Sequence, residues 1–385
     1  MKIFIIAGED SGDALGAGLM AELKALRPGD VSFRGIGGPG MQAEGLDTLF
    51  PMDDITAMGF VQVIAGLPRI LRRMREAADA IIADPPDLLV LIDAPDFTHR
   101  VAHKVRARLP ELRIVKYVAP TVWVWRPGRA RAMTPDIDQV LAVLPFEPKI
   151  MNDLGGPPTT YVGHPLLSEL ARLRPNPHEA ERRESKPPLL LVLPGSRRSE
   201  LARLGEVFGQ AIAALKAGGQ EFDFVLPTLP RRRPQVEAMV ATWPVKPRIV
   251  DDEAEKYAAF RQARAALAAS GTVTLELALA GVPMVTAYKV SKLEGWIGGL
   301  VLTGHSVILP NIILGENVVP EFLQQHCTAP GLAGSLAAIL ADGPARQAQI
   351  DAFARLEDIL SLAGETPSRR AAIAVLSTQP KAIGT

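Results

Sequence analysis

Cysteine is almost absent from this chain, since Cys327 is the only one in 385 residues. A single cysteine excludes a disulfide or a cysteine-built metal site within one chain, and it fits a reducing compartment. Metal-ligand spacings such as H-E-x-x-H are missing too, and the six histidines are scattered. The sequence therefore predicts neither a metal nor another cofactor.

An excess of charge and long apolar runs are also missing. Lys plus Arg and Asp plus Glu both number 42, so no global field would draw the protein onto nucleic acid. No stretch approaches the roughly 18 to 20 apolar residues of a spanning helix, and the run Ile3–Ala7 is too short for a signal peptide. Hydrophobic residues nevertheless make up 48% of the chain, enough for two globular cores.

Short apolar runs alternate with helical patterns through both halves of the chain. This alternation is typical of α/β domains with doubly wound parallel sheets. The predicted strands are Ile3–Ala7, Val31–Ile36, Leu88–Ile92, Arg113–Val118, Val140–Leu144, Thr160–Val162, Leu189–Leu193, Phe222–Leu226, Arg248–Val250, Ala265–Ala268 and Met284–Ala287. Continuous apolar strands imply burial on both faces. Two Rossmann-like domains are therefore expected.

The composition changes between residues 171 and 188. Arg, Glu, Pro and Asn predominate there and large apolar residues are few, which is typical of an interdomain linker. We therefore expect an N-terminal domain at 1–170 and a second α/β domain at 189–330. Residues 331–385 have Ala and Leu at helical spacing. We expect a C-terminal helical segment there, which could cross back to the N-terminal domain.

Two turns of the first half are candidate ligand sites, because ligands of doubly wound sheets bind at the carboxyl ends of strands. The glycine-rich turn from Gly8 to Gly18 could bring backbone N–H groups and Ser11 to a polar ligand, or its side chains could simply cap a helix. Asp93 and Asp96 follow a buried strand and could supply a general base with a second group that tunes it. Since Asp93 could cap the next helix, Asp96 is the preferred base.

Two further turns follow strands of the second half. In the first, Arg197 could neutralise a leaving pyrophosphate. In the second, Ser270, Gly271 and Thr272 open a helix whose N–H groups could bind a diphosphate, and Glu276 could accept hydrogen bonds from ribose hydroxyls. Ordinary N-capping and a solvated arginine are the structural alternatives.

Residues 58–75 are more apolar than a surface loop and more basic than a core helix. Aliphatic side chains alternate there with Arg69, Arg72, Arg73 and Arg75. This composition would suit an interfacial element beside anionic headgroups, and it would equally suit a crossover helix with its arginines in water. Acylated substrates would favour the membrane-associating interpretation.

Taken in order, the motifs of this chain resemble those of the lipid-A-disaccharide synthase family, which are inverting glycosyltransferases of the GT-B type and belong to glycosyltransferase family 19. The matching motifs are Gly8-Glu9-x-Ser11-Gly12-Asp13, Met41–Gly45, Met58-Gly59, Ile92–Phe97, Trp123-x-Trp125-Arg126, Leu144–Glu147, Val162–Pro165, Leu193–Arg197, Ser270-Gly271-Thr272 with Glu276, and Leu309-Pro310-Asn311. Each motif alone is weak, but the ordered set is specific.

The resemblance implies two domains that face each other across a cleft and a reaction that joins two lipid sugars. UDP-2,3-diacylglucosamine would be the donor and 2,3-diacylglucosamine 1-phosphate the acceptor, giving a β-1,6-linked disaccharide phosphate and UDP without a metal. Asp96 would be the base, and Asn311 would contribute near the donor. The resemblance also implies a peripheral enzyme on the cytoplasmic face of the inner membrane, and it leaves a homodimer open.

Other functions remain compatible with these residues. A UDP-N-acetylglucosamine 2-epimerase, or another UDP-hexosamine transferase, would share the fold but would not explain the apolar and basic segment 58–75. A sugar-nucleotide or lipid-binding protein without turnover is a third class. Asp93 also stays a rival to Asp96 as the base.

Overall fold

The computed structural model describes residues 1–55, 60–123, 126–289 and 306–378, and of residues 60–67 it describes only the backbone. These residues form two compact units. The first unit comprises Met1–Leu167 with Leu360–Thr385, and the second comprises Ser168–Ile359. Each unit is built around its own sheet. None of the helices formed by the described residues has the length and apolar character needed to span a bilayer.

Strands and helices alternate through both units. The strands are β1 (Lys2–Ala7), β2 (Ser32–Ile36), β3 (Asp47–Thr48), β4 (Leu88–Ile92), β5 (Arg113–Tyr117), β6 (Gln139–Ala142), β7 (Thr159–Tyr161), β8 (Leu189–Leu193), β9 (Asp223–Pro227), β10 (Arg248–Val250), β11 (Ala265–Ala269), β12 (Met284–Tyr288) and β13 (Glu321–Leu323). The helices are α1 (Asp10–Leu26), α2 (Pro39–Ala43), α3 (Phe60–Ala83), α4 (Pro95–Arg106), α5 (Gly128–Met133), α6 (Glu147–Asp153), α7 (Leu170–Leu173), α8 (Pro177–Glu184), α9 (Arg198–Ala217), α10 (Arg233–Ala241), α11 (Glu253–Gln262), α12 (Val273–Leu279), α13 (Leu309–Leu314), α14 (Ala329–Leu340), α15 (Pro344–Leu360) and α16 (Pro367–Ser377).

Both sheets are parallel, which confirms the predicted α/β class. The first has the strand order β3-β2-β1-β4-β5-β6-β7, and the second has the order β10-β9-β8-β11-β12-β13. Every residue of β4 is buried, as expected for a strand that helices cover on both faces. The strands β3 and β13 were not predicted from the sequence, because two or three residues with polar members give no apolar run.

The strand order of each sheet reverses at one place. In the first unit the reversal lies between β1 and β4, and in the second it lies between β8 and β11. The loops that leave two such strands diverge to opposite sides and open a crevice at the carboxyl edge of the sheet. The turns that follow β1, β4, β8 and β11 are therefore the places to look for ligand sites.

The boundary between the two compact units lies at other residues than the linker that the sequence patterns suggested. Residues 171–188 contain α8 and lie in the second unit. Several of their polar side chains make hydrogen bonds within the unit. Glu179 caps α8 with Asn176 and accepts a hydrogen bond from Arg261 Nε at 2.8 Å. Arg183 donates to the carbonyl of Ala280 at 3.0 Å. Such polar groups resemble a linker in composition but here fix a helix to its unit.

The C-terminal helix belongs to the first unit. Tyr161 donates a hydrogen bond from its hydroxyl to the carbonyl of Leu360 at 2.7 Å, and beyond this point α16 packs against α1. A Cβ built on Gly18 of α1 would lie 2.6 Å from Oγ of Ser368. The absence of a side chain at position 18 therefore leaves room for the Ser368 hydroxyl.

Candidate active site and nucleotide site

Ser11 and Asp13 occupy the start of α1, directly after β1, and they play different parts. The carboxylate of Asp13 is buried and accepts hydrogen bonds from the backbone N–H groups of Gly38, Gly40 and Met41 at 2.8, 2.8 and 3.0 Å. It therefore fixes the neighbouring turn after β2. Ser11 is exposed in the first turn of α1, and no side chain caps this helix. Of the two, Ser11 is the side chain that a ligand could reach.

Asp93 and Asp96 both follow β4, but their environments differ. Asp96 lies in the first turn of α4, is 81% exposed, and forms an ion pair with Arg129 of α5. Asp93 is only partly exposed, and it does not cap α4, since the N-cap residue is Ala94 and the cap has no side-chain hydrogen bond. Asp96 is thus the more accessible of the two carboxylates.

Lys116 lies directly beneath this turn. It belongs to β5 and is 1% exposed. Its ammonium donates hydrogen bonds to the carbonyl of Asp93 and, at 3.1 Å, to the hydroxyl of Thr98. Burial lowers the pKa of Lys116 to about 7, and the charge of Asp93 opposes that fall. The first-unit site therefore contains a buried amine in direct contact with the carboxylate-bearing turn.

In the second unit, the turns after β8 and β11 open onto one cavity of about 320 Å³. Its lining includes five residues that the sequence patterns selected, namely Arg197, Ser270, Gly271, Thr272 and Glu276. It also includes Glu200, Pro227, Thr228 and Lys256. A pocket at the reversal point of a parallel sheet, with a cation and a carboxylate among its walls, suits a nucleoside diphosphate.

Arg197 extends from the N-terminus of α9 and is 81% exposed. Glu200 anchors this turn, because one carboxylate oxygen accepts the backbone N–H groups of Ser196 and Arg197 at 3.0 and 3.1 Å. The other oxygen accepts a hydrogen bond from the Arg197 guanidinium at 3.2 Å. The guanidinium is therefore tethered at the cavity mouth and still accessible to an anion.

Glu276 lies on α12 and is mostly buried. One of its carboxylate oxygens accepts a hydrogen bond from Nζ of Lys256 at 3.0 Å. The same ammonium lies 4.7 Å from the ring centroid of Tyr257 and 5.3 Å from that of Phe260, where a cation is attracted to the ring faces. Lys256 thereby holds the Glu276 carboxylate in one orientation within the cavity.

A family model described as Lipid-A-disaccharide synthetase matches residues 3–375 of this chain. The lipid-A-disaccharide synthase of Nitrobacter hamburgensis is 56% identical over 377 residues, covering 98% of this chain and 95% of that protein. The corresponding protein of Bradyrhizobium diazoefficiens is 54% identical over 380 residues, covering 99% and 97%. The chain belongs to the lipid-A-disaccharide synthase family. It is therefore a glycosyltransferase, as the ordered motifs predicted.

Solved structures show the same fold at low sequence identity. MurG of Acinetobacter baumannii has a TM-score of 0.57 and 14% identity, with coverage of 97% of this chain and 99% of that chain. The UDP-GlcNAc 2-epimerase of Neisseria meningitidis, bound to UDP-GlcNAc, has a TM-score of 0.63 and 11% identity, covering 98% and 100%. At such identities the likeness shows the fold alone. It leaves the family assignment as the basis for function.

Among the residues predicted for the donor side, Asn311 alone does not line the cavity of the second unit. Its side chain is 2% exposed, and it exchanges hydrogen bonds of 3.0 Å with the backbone of Val319 in both directions. It also donates to Glu321 at 2.9 Å. Glu321 accepts the N–H of Val307, whose carbonyl accepts a hydrogen bond from Ser270 at 3.3 Å. Asn311 therefore supports the Ser270 turn from behind.

Several residues at these sites were not selected by the sequence patterns. Lys116 is hidden inside an apolar strand, and nothing local distinguishes Arg129 or Lys256 from surface cations. Only Glu200 gave a usable signal, since a carboxylate three residues into a helix can bind the free N–H groups at its start. The others depend on contacts between distant segments, which a single sequence does not display.

The basic segment near 58–75 lies only partly within the described residues. In the described part of α3, Arg73 is held by Asp54 and Glu76, and its guanidinium lies 4.5 Å from the Phe50 ring centroid. Arg72 and Arg75 are exposed. Arg73 therefore stabilises the unit, whereas Arg72 and Arg75 are exposed to solvent. Met58, Gly59 and the side chains of 60–67 lie outside the description.

Proposed function

We propose that this chain joins UDP-2,3-diacylglucosamine to 2,3-diacylglucosamine 1-phosphate, forming a β-1,6-linked disaccharide 1-phosphate and releasing UDP. The observation that carries the proposal is that the family's motif residues collect at two carboxyl-edge sites. One site presents an accessible carboxylate, Asp96, and the other is a cavity with Arg197 and Glu276. A sugar transfer from a nucleotide requires both a general base for the acceptor and a binding site for the nucleotide.

On the acceptor side, Asp96 acts as general base. It takes the proton of the acceptor 6-hydroxyl as that oxygen forms a bond to the anomeric carbon of the donor. The bond from that carbon to the diphosphate breaks, and its electron pair leaves with UDP. One displacement inverts the configuration. Arg129 orients the Asp96 carboxylate, while Ser11 and Asp93 contact the sugars from the same edge of the sheet.

On the donor side, the cavity of the second unit holds UDP. The Arg197 guanidinium and the turn of Ser270, Gly271 and Thr272 bind the diphosphate and stabilise the charge that develops on it. Glu276 has one carboxylate oxygen engaged by Lys256 and offers the other to the ribose hydroxyls. Asn311 assists indirectly, because it supports the turn that carries Ser270.

The lipid substrates place the enzyme at a membrane surface. We propose peripheral association with the cytoplasmic face of the inner membrane through residues 58–75. The supporting observation is the exposure of Arg72 and Arg75 on α3, since exposed arginines near an anionic surface contribute about 1 kcal/mol each. Arg72→Gln/Arg75→Gln should weaken co-sedimentation with phosphatidylglycerol vesicles roughly thirtyfold. The control Lys104→Gln/Lys149→Gln removes two exposed cations elsewhere and should bind like the wild type.

The family resemblance also leaves a homodimer within the proposal. Light scattering coupled to size exclusion, in detergent above and below its micelle concentration, decides this point. A mass near twice the chain mass of 41.3 kDa supports the dimer, and a mass near the chain mass removes it. The catalytic proposal does not depend on the answer.

The test of the proposed function is UDP release from UDP-2,3-diacylglucosamine in detergent, with and without 2,3-diacylglucosamine 1-phosphate. Release that requires the acceptor and persists with a chelator supports the transferase. Turnover of plain UDP-N-acetylglucosamine without any acceptor would instead identify an epimerase. Binding of UDP without turnover of either donor would identify a binding protein.

A further inference from the structure

The amine of Lys116 is the most deeply buried cation near the proposed base. Lys116 belongs to β5, which lies between β4 and β6, and its amine reaches the turn that follows β4. There it donates to the carbonyl of Asp93 and to the hydroxyl of Thr98. The Thr98 hydroxyl in turn lies 3.0 Å from each of the carbonyl oxygens of Asp93 and Ala94. One amine and one hydroxyl thus bind the whole turn.

The turn needs such support because its backbone is strained. Asp93 and Ala94 have φ angles of 46° and 42°, which lie in the left-handed region that non-glycine residues rarely adopt. Two consecutive residues of this kind cost of order 1–3 kcal/mol each and persist only where surrounding contacts impose them. The strained pair stands directly before α4, so it sets the position from which Asp96 projects.

Stability alone is a poor explanation for a buried amine here. Removing an ammonium from water carries a large desolvation cost, and replacing a whole buried ion pair by apolar residues is often neutral or stabilising. The lowered pKa of Lys116 reflects that cost. An apolar residue would fill the same space in β5 more favourably, so the amine is better explained by what it holds.

We propose that Lys116 is a positioning residue for the transfer reaction, which fixes the strained Asp93–Ala94 turn through its hydrogen bonds and thereby places the Asp96 carboxylate. This inference rests on the proposed function, in which Asp96 is the base. Thr98 shares the task, because its hydroxyl connects the amine to both carbonyls of the turn. Neither side chain touches the substrates.

The test compares Lys116→Met and Thr98→Val with the wild type. Lys116→Met removes the amine and keeps the rest of an unbranched side chain of four heavy atoms, and Thr98→Val replaces only the hydroxyl by a methyl group. We expect kcat to fall at least tenfold in Lys116→Met and less in Thr98→Val, with the Kd for UDP, which binds in the second unit, within twofold of the wild-type value. The Tm of Lys116→Met should be unchanged or raised. A purely structural role would give the opposite pattern, a lower Tm with an unchanged kcat.

Arg106→Met is the matched control. Arg106 is a mostly buried cation of the first unit, 12% exposed, but it donates to the carbonyl of Leu112 at 2.9 Å and to Asp138 at 2.8 Å, away from the Asp93 turn. Its loss should lower the Tm and leave kcat unchanged. If Lys116→Met behaves like Arg106→Met, the inference is wrong.

Amide hydrogen exchange separates this inference from the proposed function. Exchange in residues 93–98 should accelerate at least tenfold in Lys116→Met and remain at the wild-type rate in Arg106→Met, whatever the substrate of the enzyme. Unchanged exchange in Lys116→Met overturns the inference even if the enzyme is the proposed transferase. Conversely, a wild-type enzyme without acceptor-dependent UDP release overturns the proposed function while the exchange result still decides the role of Lys116.

Discussion

Gly8 and Ala94 meet across the point where the strand order of the first sheet reverses. A Cβ built on Gly8 would lie 2.6 Å from the Cβ of Ala94, closer than two carbon atoms can approach without a shift. Gly8 follows β1 and Ala94 follows β4, so this contact joins the turn before Ser11 to the turn before Asp96. The missing side chain at position 8 therefore allows the two turns of the proposed acceptor site to pack together.

Gly8→Ala should disturb this contact. We expect a destabilisation of about 1–3 kcal/mol from overpacking and a fall in kcat, because the Asp93–Ala94 turn must move. Ala94→Gly alone should be neutral or mildly stabilising, since Ala94 has a φ of 42°. The double variant should recover most of both losses, which urea unfolding and UDP-release kinetics would measure.

Gly334→Ala is the control for the glycine substitution itself. Gly334 lies inside α14 and a Cβ there would meet no atom within 4 Å. Alanine should stabilise this helix by roughly 0.5–1 kcal/mol and leave kcat unchanged. A Gly8→Ala/Ala94→Gly variant as impaired as Gly8→Ala would contradict the steric account.

Arg129 is expected to orient Asp96, with which it forms an ion pair. Arg129→Met should lower kcat about tenfold through misplacement of the base. The pair is largely exposed on the Asp96 side and contributes little to folding, so the Tm should change by no more than a degree or two. Arg131→Met, an exposed cation of the same helix, is the matched control. Equal kcat values in the two variants would argue against an orienting role.

The donor site predicts separate losses for the two ends of the nucleotide. Charge-assisted hydrogen bonds contribute roughly 1.5–3 kcal/mol, so Glu276→Gln and Arg197→Met should each weaken UDP binding about tenfold or more. For uridine, which lacks the diphosphate, Glu276→Gln should show the same loss and Arg197→Met should show none. Titration calorimetry with both ligands measures this, and a loss of uridine affinity in Arg197→Met would show that the assignment is wrong.

Glu147 predicts a pH dependence of stability. Its carboxylate is 1% exposed, and burial raises its pKa to about 8, although the N–H groups of Leu144 and Val143 oppose the rise. Because the folded pKa exceeds the unfolded value of 4.5, the folded state binds the proton more tightly. The contribution is complete below about pH 4.5 and is lost as pH rises through about 8, by at most about 1.4 kcal/mol per pH unit.

Glu147→Gln removes this proton but keeps an acceptor for the two backbone N–H groups. The nearby ionisable group is Tyr161, whose pKa rises to about 12 mainly through burial, so it stays neutral over this range. The free energy of unfolding from urea titrations at pH 5 to 8 should fall more steeply in the wild type than in Glu147→Gln. Parallel curves for the two proteins would contradict a buried, proton-binding Glu147.

The strands and the motif residues were predictable because they depend on local patterns. The range of β4 was predicted to the residue, since five consecutive apolar residues bounded by polar ones leave little choice. Arg197 and Glu276 were likewise predicted at one site, because each follows a parallel strand and such strands end at one edge. Lys116 could not be predicted, since a lysine within an apolar run gives no sign of its partner in a turn 23 residues away in sequence.

Asn311 shows the limit of motif-based prediction in the other direction. The motif selected this position, but it could not distinguish a side chain that contacts a ligand from one that supports a neighbouring turn. The difference lies in the hydrogen bonds to Val319 and Glu321, which join segments whose pairing the sequence does not reveal. The same limit applies to residues 171–188, where polar composition suggested a linker and the fold contains a capped helix.

The most direct test of the account is acceptor-dependent UDP release measured side by side in the wild type, Asp96→Asn and Asp93→Asn. The account predicts release by the wild type only with 2,3-diacylglucosamine 1-phosphate, and a kcat lowered roughly 10²–10⁴-fold in Asp96→Asn with the Kd for UDP unchanged. Asp93→Asn should retain more activity than Asp96→Asn. An Asp96→Asn enzyme that turns over nearly as fast as the wild type, beside an inactive Asp93→Asn, would contradict the assignment of the base.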